Sequence, residues 1–396
     1  MSPRTPQSNA GRRARARRPS VVIILALAVL LGAGLVGVTA FAATADPPAT
    51  PLWRAAPAAE PTGPASPSPS NTPAEEPVSL SATGDIIMGN APGRLPAGNG
   101  AGFFDAVKRA LGADVVMGNL EEPLTEDTGV TKCGESSGCH QFRAPPSYAG
   151  HLRDAGFTVL NQANNHGNDY GAAGYRNTQR ALEQHGLRHT GAPDEITVVE
   201  IGGATVGVVG FSSYPWSNSL VDIAEATRVV REAAGRVDLV VVQVHMGAEG
   251  SDKIHVRPGT ETFLGENRGD PIRFAHAVID AGADLVVGHG PHVLRGMEFY
   301  KGRLVAYSLG NFAGGGGTLN RSGRLGLGGI LSVTLRPDGT WVRGRLTSTY
   351  LNSAGKPTPD AQRRGAALVR DLAGSDFPST GARLAADGAI SPPGAG

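Results

Sequence analysis

Gly282-Ala283-Asp284-Leu285-Val286-Val287-Gly288-His289-Gly290-Pro291-His292-Val293 is the stretch that decides how this chain is read. A Gly-Ala-Asp turn leads into a short β-branched run, Leu285–Val287, which predicts a strand buried on both faces. The strand ends in Gly-His-Gly-Pro-His, where Gly and Pro fix a loop that presents two imidazoles together. In α/β sheets, ligands gather beyond the carboxyl ends of strands, because loops there can aim side chains into a crevice. Working outward, four more apolar runs end in the same way. They are followed by Gly84-Asp85, Gly118-Asn119-Leu120-Glu121, Asn164-Asn165-His166-Gly167-Asn168-Asp169 and His245-Met246-Gly247. Singly, each would be an ordinary turn or helix-cap residue. Five in one chain point to a metal centre, and imidazole with carboxylate suits Zn, Mn or Fe better than Ca or Mg.

The runs Val78–Thr83, Ala113–Met117, Thr158–Leu160, Leu239–Val244 and Leu285–Val287 alternate with amphipathic segments near 103–111, 148–155, 174–185, 222–234 and 271–281. That alternation predicts an α/β layered domain. Three hairpins are also expected: Ile196–Ile201 with Thr205–Val209, Gly296–Tyr300 with Leu304–Ser308, and Gly329–Leu335 with Trp341–Thr349.

The motifs occur in the order Gly84-Asp85-Ile86-Ile87-Met88-Gly89, Asn119-Leu120-Glu121, Ala163-Asn164-Asn165-His166 with Asp169-Tyr170-Gly171, His245-Met246-Gly247-Ala248-Glu249, the Gly282–Val293 stretch, and Ser308-Leu309-Gly310-Asn311-Phe312. Together they resemble the CapA (poly-γ-glutamate capsule biosynthesis) family, a distant branch of the calcineurin-like metallophosphoesterases, over about Leu80 to Phe312. The resemblance implies a sandwich of mixed β-sheets flanked by helices. It also implies one or two divalent ions (Mn, Fe or Zn) held by Asp85, Glu121, Asn165, His245, His289 and His292. By the same resemblance His166 would protonate a leaving oxygen and Asp169 would orient it. Arg143 could clamp a carboxylate or phosphate, with Asn119, Glu249 and Asn311 as further substrate-side groups. The chain departs from the wider superfamily in having Ile86-Ile87 with no histidine two positions after Asp85, and from the CapA pattern in carrying Met246 where tryptophan is usual. The function implied is a metal-dependent hydrolase or transferase of a capsule or cell-envelope polymer. The alternative is a non-catalytic accessory of a membrane capsule-synthase complex that binds the anionic polymer or its precursor.

The flanks carry separate expectations. Residues 1–20 hold six arginines and no acid, a basic cytoplasmic arm, and 21–45 is an uncharged run long enough to span a bilayer. It reads as a transmembrane signal-anchor holding the domain outside the cell membrane, or as a cleaved signal if the small residues at 41–45 are cut. Residues 46–77, with ten prolines, read as a disordered stalk. The domain proper is placed at 78–352, and 353–396 is read as a helix near Ala361–Leu372 with a flexible tail. Beyond the arm, thirty basic residues stand against 35 acidic ones, which is no footprint for nucleic acid. Cys133 and Cys139 are spaced for a small disulfide loop in an oxidising compartment. His276 is read as a packed helix residue, and His151, His185, His189 and His255 as surface residues.

Overall fold

Leu239–His245 shows how the layers arise, because its side chains alternate between two different cores. Leu239 and Val241 pack with Leu80, Ala82, Val115 and Met117 of another sheet. Val240, Val242 and Val244 pack instead with Val229, Val230, Phe274 and Val278 of two helices. A strand covered on both faces has no solvent side, which is why it reads as an unbroken apolar run. The far face of the other sheet is covered likewise, Val116 and Leu160 packing with Leu111, Leu152 and Leu182. The result is four layers, helix on sheet on sheet on helix.

The structure is a computed structural model that describes residues 76–394, apart from Thr131, Glu135 and Ser137. The first sheet is built on Val78–Ile87, parallel to Val115–Leu120 on one side and antiparallel to Leu327–Leu335 on the other. Val159–Asn161 and Arg188–Thr190 continue it in parallel, and Trp341–Leu351 continues it beyond Leu327–Leu335. In the second sheet, Leu239–His245 lies between Ala204–Ser212 and Leu285–His289, all parallel. The three expected hairpins form, as Thr197–Ile201 with Ala204–Ser212, Met297–Tyr300 with Arg303–Ala306, and Leu327–Leu335 with Trp341–Leu351. The helices Ile223–Ala234 and Pro271–Asp280 start on Asp222 and Asp270, whose carboxylates accept from the Glu225 and Arg273 amides at 3.0 Å. The segment near 103–111 is helical only over Lys108–Leu111.

The parallel strands carry their carboxyl ends to one edge in register: Asp85 pairs with Asn119 and Asn311, Asn119 with Asn161, and His245 with His289. The chain can approach itself there only because two residues lack side chains. A Cβ on Gly84 would lie 1.8 Å from the Gly310 carbonyl oxygen, and one on Gly288 2.2 Å from that of Tyr307. Each glycine immediately precedes a candidate ligand, Asp85 or His289.

Two expectations need correction. The single-pass membrane location is not supported: among the described residues no helix is long and apolar enough to cross a membrane. Gly171–Gln184, of 14 residues, would reach about 21 Å at ~1.5 Å per residue, short of a ~30 Å hydrocarbon core. The arm at 1–20, the 21–45 run and nearly all of the 46–77 stretch lie outside the described residues. Second, the C-terminal segment is not a loose tail. After the helix Arg364–Asp376, Arg383–Leu384 and Ala389–Ser391 pair with each other and join the first sheet through Gly344 and Arg345.

Buried Glu298 ties that segment down. It accepts from Thr380 Oγ1 at 2.7 Å and from Tyr307 Oη at 2.6 Å, and His276 Nε2 lies 2.8 Å away. Burial would raise the Glu298 carboxyl, but its bonds to His276, Tyr307 and Thr380 outweigh it and hold the group below its ordinary 4.5. A depressed carboxyl contributes stability that is present above the unfolded value and is lost as pH falls through the folded one. Glu298→Gln should therefore cost about 1–3 kcal/mol at pH 7, with the penalty shrinking below pH 4.5. Urea unfolding at pH 7 and pH 4, with hydrogen exchange at 380–391, would show both effects.

Candidate metal centre

Asp85, Glu121 and His245 each offer a ligand atom, and these atoms lie within 4.8 Å of one another with all three residues buried. Asp85 arrives on the first strand of the first sheet and Glu121 just past the second, while His245 closes its strand in the other sheet. The His245 Nδ1 is 3.9 Å from Glu121 Oε1, and His289 Nδ1 is 4.0 Å from Asp85 Oδ1. His292, with a positive φ of 59°, sets its Nδ1 3.0 Å from Asp85 Oδ2 and 2.9 Å from Asn311 Oδ1. Its Nε2 is 3.8 Å from Glu121 and 3.7 Å from Glu249.

Most of these ligand atoms have no hydrogen-bond partner among the described residues. Both carboxylate oxygens of Glu121, both ring nitrogens of His289, His245 Nδ1 and Asn165 Oδ1 are buried and unbonded. Leaving one such group unsatisfied costs on the order of 1–3 kcal/mol. Two carboxylates and an imidazole buried within reach of one another, with both oxygens of Glu121 unpartnered, are what a cation would satisfy, so Asp85, Glu121 and His245 fit a divalent ion.

The electrostatics agree. Burial, and then the charge of Asp85, raise the Glu121 carboxyl well above its ordinary range. Burial presses His289 down to about 4, and burial with the Arg268 charge presses His245 well down. Both imidazoles are therefore neutral near pH 7, the form that binds metal. Burial also opposes charging His292, but Glu121, Asp85 and Glu249 outweigh it and push it to about 10. Burial would raise Asp85, yet its hydrogen bond and charge contact with His292 outweigh that and hold it low. The Asp85–His292 ion pair thus satisfies itself, whereas Glu121, His289 and His245 do not.

A cavity of about 280 Å³ opens beside this cluster. His166, Glu249, His292 and Asn311 face it, with Ile87, Phe142, Phe263, Leu319 and Leu325 around them. His166 Nδ1 donates to Asp169 Oδ2 at 2.7 Å, leaving Nε2 as its free nitrogen. Asp169 also accepts from the Phe142 amide and Lys132 Nζ, each at 2.8 Å. The Cys133–Cys139 disulfide forms; of the residues that flank it, Lys132 bonds Asp169 and His140 lines the cavity.

Two of the expected substrate-side residues are placed elsewhere. Asn119 is consumed inside the protein, donating to Asp85 Oδ1 at 2.9 Å and accepting from Asn161 and Asn164 at 3.0 Å. Arg143 is buried over the Tyr170 ring, 3.7 Å from Asp127, and does not line the cavity. Two residues absent from the sequence reading matter here, Lys132 and Arg268. Neither sits in a recognisable motif. Lys132 directly precedes the cysteine loop, and Arg268 falls in an Asn-Arg-Gly-Asp run whose signal is only the helix cap.

If Glu121 is held in place for an ion, Glu121→Gln should abolish ion binding while leaving metal-free protein at least as stable as wild type, because a neutral amide replaces a buried carboxyl. Adding Zn or Mn at 100 times Kd should stabilise wild type by about 2.7 kcal/mol and the variant not at all. Thermal unfolding with and without the ion reads the difference, and equal stabilisation of both would reject the assignment.

The profile of the family described as bacterial capsule synthesis protein PGA_cap matches residues 79–315, more than half of the chain. The capsule biosynthesis protein CapA of Bacillus anthracis is 32% identical over 259 residues, covering 60% of this chain and 60% of that protein. The PGA biosynthesis protein CapA of Bacillus subtilis (strain 168) is 31% identical over 254 residues, covering 59% and 63%. The chain thus spans about three fifths of the length of these relatives. Among solved structures, a 5'-nucleotidase precursor from Thermus thermophilus matches with a TM-score of 0.39 and 15% identity, covering 77% of this chain and 60% of that one, a likeness too slight to carry an argument. Residues 79–315 hold the whole ligand cluster, and on that match the chain belongs to the bacterial capsule synthesis protein PGA_cap family.

Proposed function

We propose that this protein is a metal-dependent hydrolase or transferase of calcineurin-like phosphoesterase fold that acts on a capsule or cell-envelope polymer or its precursor. The observation that carries the reading is the unpartnered Glu121 carboxylate, fully buried against Asp85 and His245 at the edge of a cavity. Bound there, a Zn, Mn or Fe ion supplies Lewis-acid polarisation of a phosphoryl or acyl oxygen and an activated water. The chain's own residues supply the rest. Asp169, anchored by Lys132 and the Phe142 amide, fixes the His166 ring so that Nε2 is the nitrogen left to exchange a proton with a leaving oxygen. Phe142 packs on that ring at 4.6 Å and, with Leu319 and Leu325, keeps part of the cavity wall apolar. Among the described residues the cavity lining contains no lysine or arginine, so the ion and the histidines would be the positive groups that meet an anionic substrate, with Asn311, Thr318 and Asn320 beside them.

A second reading, a non-catalytic polymer-binding accessory of a membrane capsule-synthase complex, is favoured by Ile87 standing where the superfamily places a ligand histidine. The test measures turnover of a generic phosphodiester and of a γ-linked glutamate polymer by metal-loaded protein. His166→Ala should lower kcat by about 10²–10⁴-fold with metal content unchanged. Inert wild type, with polymer binding that survives His166→Ala, would favour the accessory role.

A further inference from the structure

Arg268 is, with Arg295, one of the two largest fully buried side chains among the described residues, 1% exposed, and its guanidinium lies against a candidate metal ligand. Its Nη1 is 2.9 Å from His245 Nε2. A guanidinium has five donors, no acceptor and no accessible neutral form, so His245 Nε2 must be the acceptor in that bond. A neutral imidazole has one proton, which is then on Nδ1, the nitrogen that faces Glu121. Neither nitrogen of His245 can ligate an ion in this arrangement: Nε2 is taken, and Nδ1 has no free lone pair.

The usual partner of a ligating histidine is a carboxylate or carbonyl, an acceptor that fixes the ligating tautomer. Arg268 has the opposite polarity. We propose that Arg268 and the metal ion compete for His245, so that Arg268 lowers the affinity of this centre for its ion by holding the imidazole in the non-ligating tautomer. When the ion takes Nδ1, the ring proton moves to Nε2, where it faces an N–H of Arg268 and that hydrogen bond is lost. The ring remains neutral throughout.

Arg268 can give up this bond without being stranded. It also donates to Glu249, its Nε is 3.2 Å from Glu266, and its guanidinium lies 5.6 Å from the ring centroids of both Tyr214 and Phe263. Its backbone is tied as well, the amide to the Glu261 carbonyl and the carbonyl to the Gly247 amide, both at 2.9 Å. The guanidinium is thus a fixed internal cation. Its contact with Glu249, which lines the cavity, joins the competition to the substrate side of the site.

The inference rests on the metal-binding part of the proposed function and not on turnover, so its test uses neither substrate nor rate. Isothermal titration of the full metal-free protein with Zn would compare wild type with Arg268→Met, His245→Ala and the double variant. Arg268→Met should bind the ion about tenfold or more tightly than wild type, and the gain should vanish when His245 is also replaced. Equal or weaker binding by Arg268→Met, or no binding by either protein, overturns the proposal. A measurement on wild type does not depend on the variant folding: long-range ¹H–¹⁵N correlation spectra of histidine-labelled protein should show His245 protonated on Nδ1 without metal and on Nε2 with Zn bound. An Nε2-protonated ring in the metal-free protein overturns it equally. A protein that meets these expectations yet turns over no substrate would defeat the catalytic reading alone.

Discussion

Glu121 and Asp85, two carboxylates buried beside each other at the ends of neighbouring parallel strands, set the constraint around which the rest of the centre is arranged. Bringing one carboxylate out of water is costly, and bringing two together is more so, unless cations or donors answer them. Asp85 is answered within the chain by His292 and Asn119. Glu121 is answered by none of the described residues at hydrogen-bonding distance. That asymmetry separates a self-contained ion pair from an ion-seeking cluster, although both lie within a few ångströms.

The sandwich is what makes such a cluster possible. Parallel pairing in both sheets carries five strand ends to one edge, and packing the sheets face to face brings Asp85, Asn119 and Glu121 opposite His245 and His289. Glycine at 84 and 288 lets backbone pass where any side chain would collide with a carbonyl oxygen. The helices capped by Asp222 and Asp270 cover the back of the second sheet and keep the His245 and His289 strands dry, which in turn holds those imidazoles neutral. The C-terminal segment contributes from a distance: Thr380 and Gly381, just ahead of its strands, meet Glu298 and brace the Met297–Tyr300 edge of the sheet that carries the histidines.

The candidate ligands were legible because chemistry and position coincide in short motifs. Gly-His-Gly-Pro-His after an apolar run announces a strand, its end and two imidazoles in one reading, and Asn-Asn-His-Gly-Asn-Asp places an acid three residues from the histidine it will hold. Asn119 and Arg143 lie off the cavity lining for one reason. A polar residue in a ligand-rich motif looks available for substrate, whereas Asn119 had to satisfy Asp85, Asn161 and Asn164, and Arg143 found Asp127 and Tyr170. The C-terminal segment misled because its strands are two and three residues long, too short for any alternation to show.

By itself, the amino-acid sequence determined the layered α/β architecture, the three hairpins, the disulfide loop and the strand-end motifs, since each depends on local periodicity, turn chemistry or close spacing. Which acceptors remain unpartnered was decided only by the tertiary structure. Arg268 lies 23 residues from His245 and His292 lies 207 from Asp85, and no local preference links such pairs. Hydrogen bonding is a matter of distance and direction in space, so the difference between a closed ion pair, an ion-seeking carboxylate and an arginine-held histidine exists only once the two sheets have met.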